Sequence, residues 1–267
     1  MEKIKKSNFD GFICEIELRS DKATSAIKEI KEAILKNKVV KLIPGWYISD
    51  LRAFYDEITE SLGKTLNIAE DYAQKGALTG ERWMEVRYDE AIPDMAAYRH
   101  SKNAQPLHTD ESYVEDPCDI MAFYCVNKAP QGGGTNFVDG SALIKRMQTI
   151  APELLSKLTT TEISYEKAGS RRVEKIINLQ EGYAPQFNYN YYCLAPDASD
   201  TEKQLNKEFF DFLETHIKGS YLEHSINLKP GEGVIWWDHF VLHGRSSFEA
   251  EKTNDRFIWK TGIQWVD

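Results

Sequence analysis

The sequence predicts a mainly β protein with flanking α-helices, its strands packed as a two-sheet jelly roll. Short runs rich in aromatic and β-branched residues are scattered from Met84 to Trp265, as strands of a double sheet are. Helix-type apolar spacing is confined to a few segments, too few to alternate with every strand as a parallel α/β fold requires. No Pro/Gly/Ser-rich linker, low-complexity tract or internal repeat divides the chain, so residues 1–267 are expected to form one domain.

The first part, residues 1–82, is the helix-rich one. Phe12 to Leu18 alternates as a strand does, and Ala23 to Leu35 carries Ile27, Ile30 and Ile34 on one helical face. Val39 to Ile43 reads as a short buried strand ended by Pro44 and Gly45. Ser49 is the expected cap of a helix with Leu51, Phe54, Tyr55, Ile58 and Leu62 inward, stopped at Gly63. Residues 83–267 hold the expected jelly-roll core. Its strands are Met84 to Tyr88, Ile120 to Val126, Thr161 to Glu166, Gln186 to Leu194, Leu222 to Leu228, Gly233 to Trp237 and Arg256 to Trp265. Helical insertions run through Leu143, Ile144, Met147 and Ile150, restart at Pro152 towards Leu158, and return from Thr201 to about Ile217.

Charge and cysteine usage narrow the function classes. A formal charge of −9 leaves no basic footprint for nucleic acid or an anionic membrane. Lys3, Lys5 and Lys6 are followed by Ser7 and Asn8, not by an apolar run, so no signal peptide is expected. No stretch of about 18 apolar residues could span a bilayer. Cys14, Cys118, Cys125 and Cys193 are sparse and form no C-x-x-C pair, which fits free thiols in a reducing cytoplasm. The expected partner is a small-molecule substrate, and a homo-oligomer is compatible with the composition.

Four elements carry chemistry. In an extended segment residues i and i+2 point the same way, so His108 and Asp110 could grip one metal from one side. A second cluster, Asp238 to Arg245, follows a strand and offers His239 and His243 as a third ligand, which spacing alone does not separate. Two histidines and a carboxylate on one face of an octahedron leave three positions open. Third, Arg256 lies 256 − 243 = 13 residues beyond His243 inside an apolar strand, where a guanidinium needs an anionic partner. Lys260 is a second cation there, expected to be solvated. Fourth, Gly132, Gly133 and Gly134 precede Thr135, whose hydroxyl could reach the same anion; the run matches no phosphate-binding loop.

Together these elements resemble the taurine dioxygenase family of iron(II)/2-oxoglutarate oxygenases, which includes clavaminate synthase-like and butyrobetaine hydroxylase-like enzymes. The runs His108–Tyr113, Ala129–Asp139, Lys229–Asp238 and Val241–Arg245 carry the likeness. It departs at Leu107, where many members have a large aromatic, and at Lys260, where some have a second arginine.

The resemblance implies a double-stranded β-helix of the cupin-like kind. It also implies iron(II) on His108, Asp110 and His243, and 2-oxoglutarate on Thr135 and Arg256. The implied reaction uses O2, releases succinate and CO2, and hydroxylates an unactivated C–H of a small polar molecule such as an amino acid or derivative. Desaturation and ring formation are alternative outcomes of the same cofactor chemistry. A carboxylate at position 110 argues against halogenation, which needs that ligand position for chloride. Tyr113, Asn188 and Tyr189 are candidate substrate contacts. Two rival readings are a zinc-dependent hydrolase using the same three ligands and a catalytically silent metal-binding module on the same fold.

Overall fold

A computed structural model describes residues 9–18, 23–71, 73, 76–92 and 98–266; the basic start at Lys3, Lys5 and Lys6 lies outside them. Two antiparallel-dominated sheets stack face to face, as a jelly roll requires. The larger has the strand order Gly11–Leu18, Asn37–Pro44, Gly233–Trp237, Ile120–Asn127, Phe257–Trp265, Gly63–Leu66, with Met84–Arg87 also pairing with Phe257–Trp265. Only its first pair is parallel, Ile13 facing Val39. The smaller sheet runs Glu223–Ile226, Thr135–Asp139, Val241–Arg245, Gln105–His108 and is antiparallel throughout.

Period-2 alternation assigns the faces. On Gly233–Trp237, Val234 and Trp236 point between the sheets and Ile235 and Trp237 point outward. Phe123, Phe137, Ile226 and Val241 complete the inter-sheet core; the Trp236 ring meets Phe123 at 4.7 Å and Phe137 at 5.4 Å, both edge-on. The outer face of the large sheet is covered by helices α1 (Ala23–Lys36) and α2 (Leu51–Leu62). Their stripes Ile30, Ile34, Phe54 and Ile58 are buried against Val40, Leu42 and Ile235. Each such side chain contributes about 1.5–3 kcal/mol of burial.

Helices α3 (Gly140–Ile150), α4 (Pro152–Thr160) and α5 (Asp200–His216) cover the small sheet, burying Leu143, Met147, Leu158, Phe209 and Leu213 against Val138 and Leu242. Strands from the helix-rich first part pair directly with strands from the last third of the chain, within one sheet.

Several expectations change in detail. The cap of α2 is Asp50, not Ser49: its carboxylate accepts from the Ala53 N–H at 2.9 Å. The strand expected over Gln186 to Leu194 ends at Phe187. Asn190 accepts from the Tyr192 N–H and turns Tyr191–Cys193 into a 3-10 turn, the local competition that asparagine offers to a strand. The strands Gln105–His108, Thr135–Asp139, Val241–Arg245 and Ser170–Lys175 were not anticipated as a set, and the first three make up most of the small sheet.

Candidate active site

The same alternation aims the chemistry inward. Leu107 faces the helices, so His108 faces the other sheet; Val241 is inward and Leu242 outward, so His243 is inward again. His108 and His243 are directly opposed across the two strands, their ring centroids 4.3 Å apart. A side chain at position 244 would not permit this approach, since a Cβ on Gly244 would stand 2.7 Å from the Gln105 carbonyl oxygen. Asp110 lies just past the strand end, its N–H donating to Asp238 Oδ2 at 2.8 Å. One ligand atom from each of His108, Asp110 and His243 lies within 4.8 Å of the others. His239 sits half-buried in the 3-10 turn Asp238–Phe240, outside this group.

Hydrogen bonding orients both imidazoles. His108 Nδ1 is 2.9 Å from the Pro106 carbonyl, and Gln105 Nε2 stands 3.1 Å from His108 Nε2. His243 Nδ1 lies 3.2 Å from Asp238 Oδ1, near enough for an ion pair though not aligned as a hydrogen bond. Asp238 is itself anchored by the Trp236 indole N–H at 3.0 Å. With Nδ1 facing an acceptor, each ring presents Nε2 to the centre, the arrangement that fixes a metal-ligating tautomer. His108 Nε2 is 3.7 Å from Asp110 Oδ1 and His243 Nε2 is 3.4 Å from Asp110 Oδ2.

Asp110 Oδ2 is buried and has no hydrogen-bond partner among the described residues. With His243 Nε2 3.4 Å from this oxygen and His108 Nε2 3.7 Å from Oδ1, the carboxylate and two imidazoles converge on one point where a cation can be held. The donor set of two nitrogens and one oxygen, open on its far side, fits a divalent transition metal such as iron(II).

The three groups also bear on one another's charge. Burial would raise Asp110, but Lys260 and His243 outweigh it and hold the carboxyl well below its usual range. Burial and the neighbouring His243 lower His108. Burial also opposes charge on His243, yet Asp110 and Asp238 overcome it and bring its pKa to about 9.

These groups open into a cavity of about 830 Å³. Thr135 and Arg256 line it, and so does Arg245, the cross-strand partner of Thr135. Both guanidinium groups are buried beside one ring, Arg245 centred 5.0 Å and Arg256 5.4 Å from the Phe248 centroid. Arg256 donates through Nε to the Gly133 carbonyl at 3.1 Å, and Arg245 through Nη2 to the Ser101 carbonyl at 3.0 Å. That leaves Arg245 Nε and Nη1 and Arg256 Nη1 without partners, and neither residue forms a salt bridge among the described residues. Burial lowers the Arg256 pKa to about 10; burial, then repulsion from Arg256, pulls Arg245 well below the usual arginine value. Two unneutralised guanidinium groups in one pocket have the charge and the donors to receive a carboxylate.

Lys260 is not solvated: it is 9% exposed, with Nζ 2.7 Å from Asp110 Oδ1. Among the expected substrate contacts, Tyr113 lines the cavity. Asn188 and Tyr189 are buried away from its wall, Tyr189 packing edge-on against Phe209 at 4.7 Å, and Asn190, Tyr191 and Tyr192 stand at the wall instead. Arg245, Glu70, Arg99 and Lys167 are wall residues that the sequence reading assigned no role. For Arg245 the available signal was its place two residues beyond His243; the other three had none.

The family model described as taurine catabolism dioxygenase TauD, TfdA family matches residues 9–261. Trimethyllysine dioxygenase, mitochondrial, of Gallus gallus is 28% identical over 214 residues, covering 73% of this chain and 49% of that protein. The chain therefore spans about half the length of the curated relatives it matches. Among solved structures, the PvcB protein from Pseudomonas aeruginosa superposes with a TM-score of 0.67 at 17% identity, covering 93% of this chain and 84% of that one. Asparagine oxygenase in complex with Fe(II), 3-hydroxyasparagine and succinate gives 0.64 at 14% identity, covering 91% and 77%. At those identities the structures speak for the shared fold.

Proposed function

The chain belongs to the taurine catabolism dioxygenase TauD, TfdA family, and from that premise we propose that it is an iron(II)- and 2-oxoglutarate-dependent oxygenase hydroxylating a small amino-acid-like molecule. The observation that carries this reading is the buried Asp110 carboxylate set against the Nε2 atoms of His108 and His243, beside two guanidinium groups that no carboxylate among the described residues neutralises. His108, Asp110 and His243 would hold the iron. Thr135, Arg245 and Arg256 would hold the distal carboxylate of 2-oxoglutarate. When bound, iron with 2-oxoglutarate and O2 supplies oxidative decarboxylation to succinate and CO2 and the oxidation of a C–H bond.

The protein's part is placement. Pro106 and Asp238 keep both imidazoles turned so that Nε2 faces the metal position. Lys260 holds Asp110 Oδ1, leaving Oδ2 for coordination. The Phe248 ring lies against both guanidinium groups and helps hold them together. Tyr113, Tyr191 and Tyr192 line the cavity that substrate would enter.

The names trimethyllysine dioxygenase and asparagine oxygenase both point to amino-acid substrates, which supports that class here. A zinc hydrolase could use the same three ligands, but it has no use for the two unneutralised arginines. Desaturation or ring closure would need the same residues, and product analysis separates them from hydroxylation.

The shared large sheet supports a single catalytic domain, and the four free cysteines support a reducing, cytoplasmic setting. Among the described residues no helix is long and apolar enough to cross a membrane. The test is aerobic incubation with Fe(II) and 2-oxoglutarate: succinate should form, and Asp110→Ala should abolish it. Unchanged succinate formation in that variant would remove the ligand assignment.

A further inference from the structure

The cavity differs in charge from the protein around it. The chain carries −9 overall, yet the cavity walls hold five basic residues (Arg99, Lys167, Arg245, Arg256, Lys260) against three acids (Glu70, Asp110, Glu111). Such a pocket concentrates field for an anionic ligand. Arg245 and Arg256 sit at the co-substrate end and Lys260 is engaged by Asp110. The remaining pair, Arg99 and Lys167, belongs to a separate cluster around Glu70.

That cluster is unevenly matched. Lys167 Nζ is 2.9 Å from both Glu70 oxygens, and the Tyr113 hydroxyl donates to Glu70 Oε1 at 3.0 Å. Glu70 is thereby well supplied with donors. Arg99 stands 3.8 Å from Glu70 Oε2, beyond hydrogen-bond reach, and its Nη1 instead meets the Met84 thioether sulfur at 3.0 Å, a weak acceptor. The Arg99 side chain is only 16% exposed and faces the same cavity as the three candidate ligands. A guanidinium fork held out of water, hydrogen-bonded to a thioether and only loosely ion-paired to Glu70, can take a carboxylate through two parallel hydrogen bonds.

We propose that Arg99 is the anchor for a carboxylate on the primary substrate, held in place by the Glu70–Lys167–Tyr113 cluster, and that the enzyme acts on small carboxylate-bearing molecules. The inference rests on the oxygenase reading above and narrows its substrate class. Glu70 serves as a brace: shared between Lys167 at 2.9 Å and Arg99 at 3.8 Å, one carboxylate faces two cations and leaves the cluster with an excess positive charge. Neutral analogues with a carboxamide in place of the carboxylate would leave the guanidinium poorly matched and bind weakly.

The test uses the full chain loaded with Fe(II) and 2-oxoglutarate, with the L-α-amino acids and their carboxamides as probes. Succinate release is followed for each acid and its amide. The visible absorption band of the Fe(II)–2-oxoglutarate complex, recorded anaerobically on the same samples, is the control for folding and loading. At least one acid should stimulate succinate release, with its amide at least about tenfold less effective in kcat/KM. Arg99→Met should raise KM for that acid at least about tenfold, and Arg99→Lys should recover part of the loss, because the charge remains while the fork is gone. Amides as effective as acids, no response to any acid, or an unchanged KM in Arg99→Met would each overturn the carboxylate anchor. Absence of the absorption band in the wild-type protein would instead count against the oxygenase reading, so the two failures are distinguishable.

Discussion

Lys260 and Asp110 form a buried ion pair, Nζ to Oδ1 at 2.7 Å, joining the middle of the last strand to the end of the strand that carries His108. The pair places a protein cation next to the carboxylate that would ligate metal. Lys260→Met leaves that carboxylate buried without its counter-charge, a loss of about 3 kcal/mol in the metal-free protein. A bound divalent cation would take over much of that compensation. The stabilisation on adding Mn(II), read as a shift in Tm, should therefore be larger in Lys260→Met than in the wild type. An equal or smaller shift would show that Lys260 does not stand in for the metal charge.

Arg245 and Arg256 predict a trade between binding and stability. Each is buried without a carboxylate partner, so replacing Arg256 by Met should hold or raise Tm. The same change removes a charge-assisted contact worth about 1.5–3 kcal/mol, so KM for 2-oxoglutarate should rise at least about tenfold. A fall in Tm with KM unchanged would make Arg256 a structural residue only.

Gly133 supplies a finer probe of the same wall. Its φ is +75°, and a Cβ there would sit 3.0 Å from Arg256 Nε and 3.2 Å from Phe248 Cβ. Gly182, at φ +80°, has open space around it. Both Gly→Ala changes should cost about 1 kcal/mol for the left-handed backbone. Only Gly133→Ala should also raise KM for 2-oxoglutarate, because only there must the guanidinium move.

Helix α5 carries a pH-dependent contribution far from the site. Burial opposes charge on Glu202, but hydrogen bonds from the Ser199 hydroxyl and N–H and the Ser164 N–H outweigh it and bring its pKa to about 2. A depressed carboxyl stabilises fully above its unfolded value of 4.5 and loses that contribution as pH falls from there towards 2. Glu202→Ala should thus be less stable by about 1 kcal/mol at neutral pH. Urea unfolding series should show that difference closing below pH 4.5; a constant gap would place the effect in packing.

The large sheet was legible because its strands are written in apolar residues: Gly233–Trp237 and Ile120–Asn127 bury both faces and read as continuous runs. Of the small sheet only Glu223–Ile226 was, within the strand expected over Leu222 to Leu228, because the other three are written for the cavity. Gln105–His108 contains a proline and a histidine, Val241–Arg245 contains histidine, glycine and arginine, and Thr135–Asp139 follows three glycines. His108 and Asp110 were visible through their spacing. Lys260 was misplaced since its partner lies 260 − 110 = 150 residues away in sequence, and no local pattern connects them. The aromatic stretch around Tyr189 looked like one strand, yet asparagine hydrogen bonding breaks it, sending Tyr189 into the core and Tyr191 and Tyr192 to the cavity wall.

The most direct measurement is an anaerobic titration of the metal-free protein with Fe(II) and 2-oxoglutarate, followed in visible absorption. The chelate band should appear only when both are present and should be lost in Asp110→Ala and in His243→Ala. A folded wild-type protein that binds metal and gives no band with 2-oxoglutarate would contradict the account and bring the zinc hydrolase reading forward.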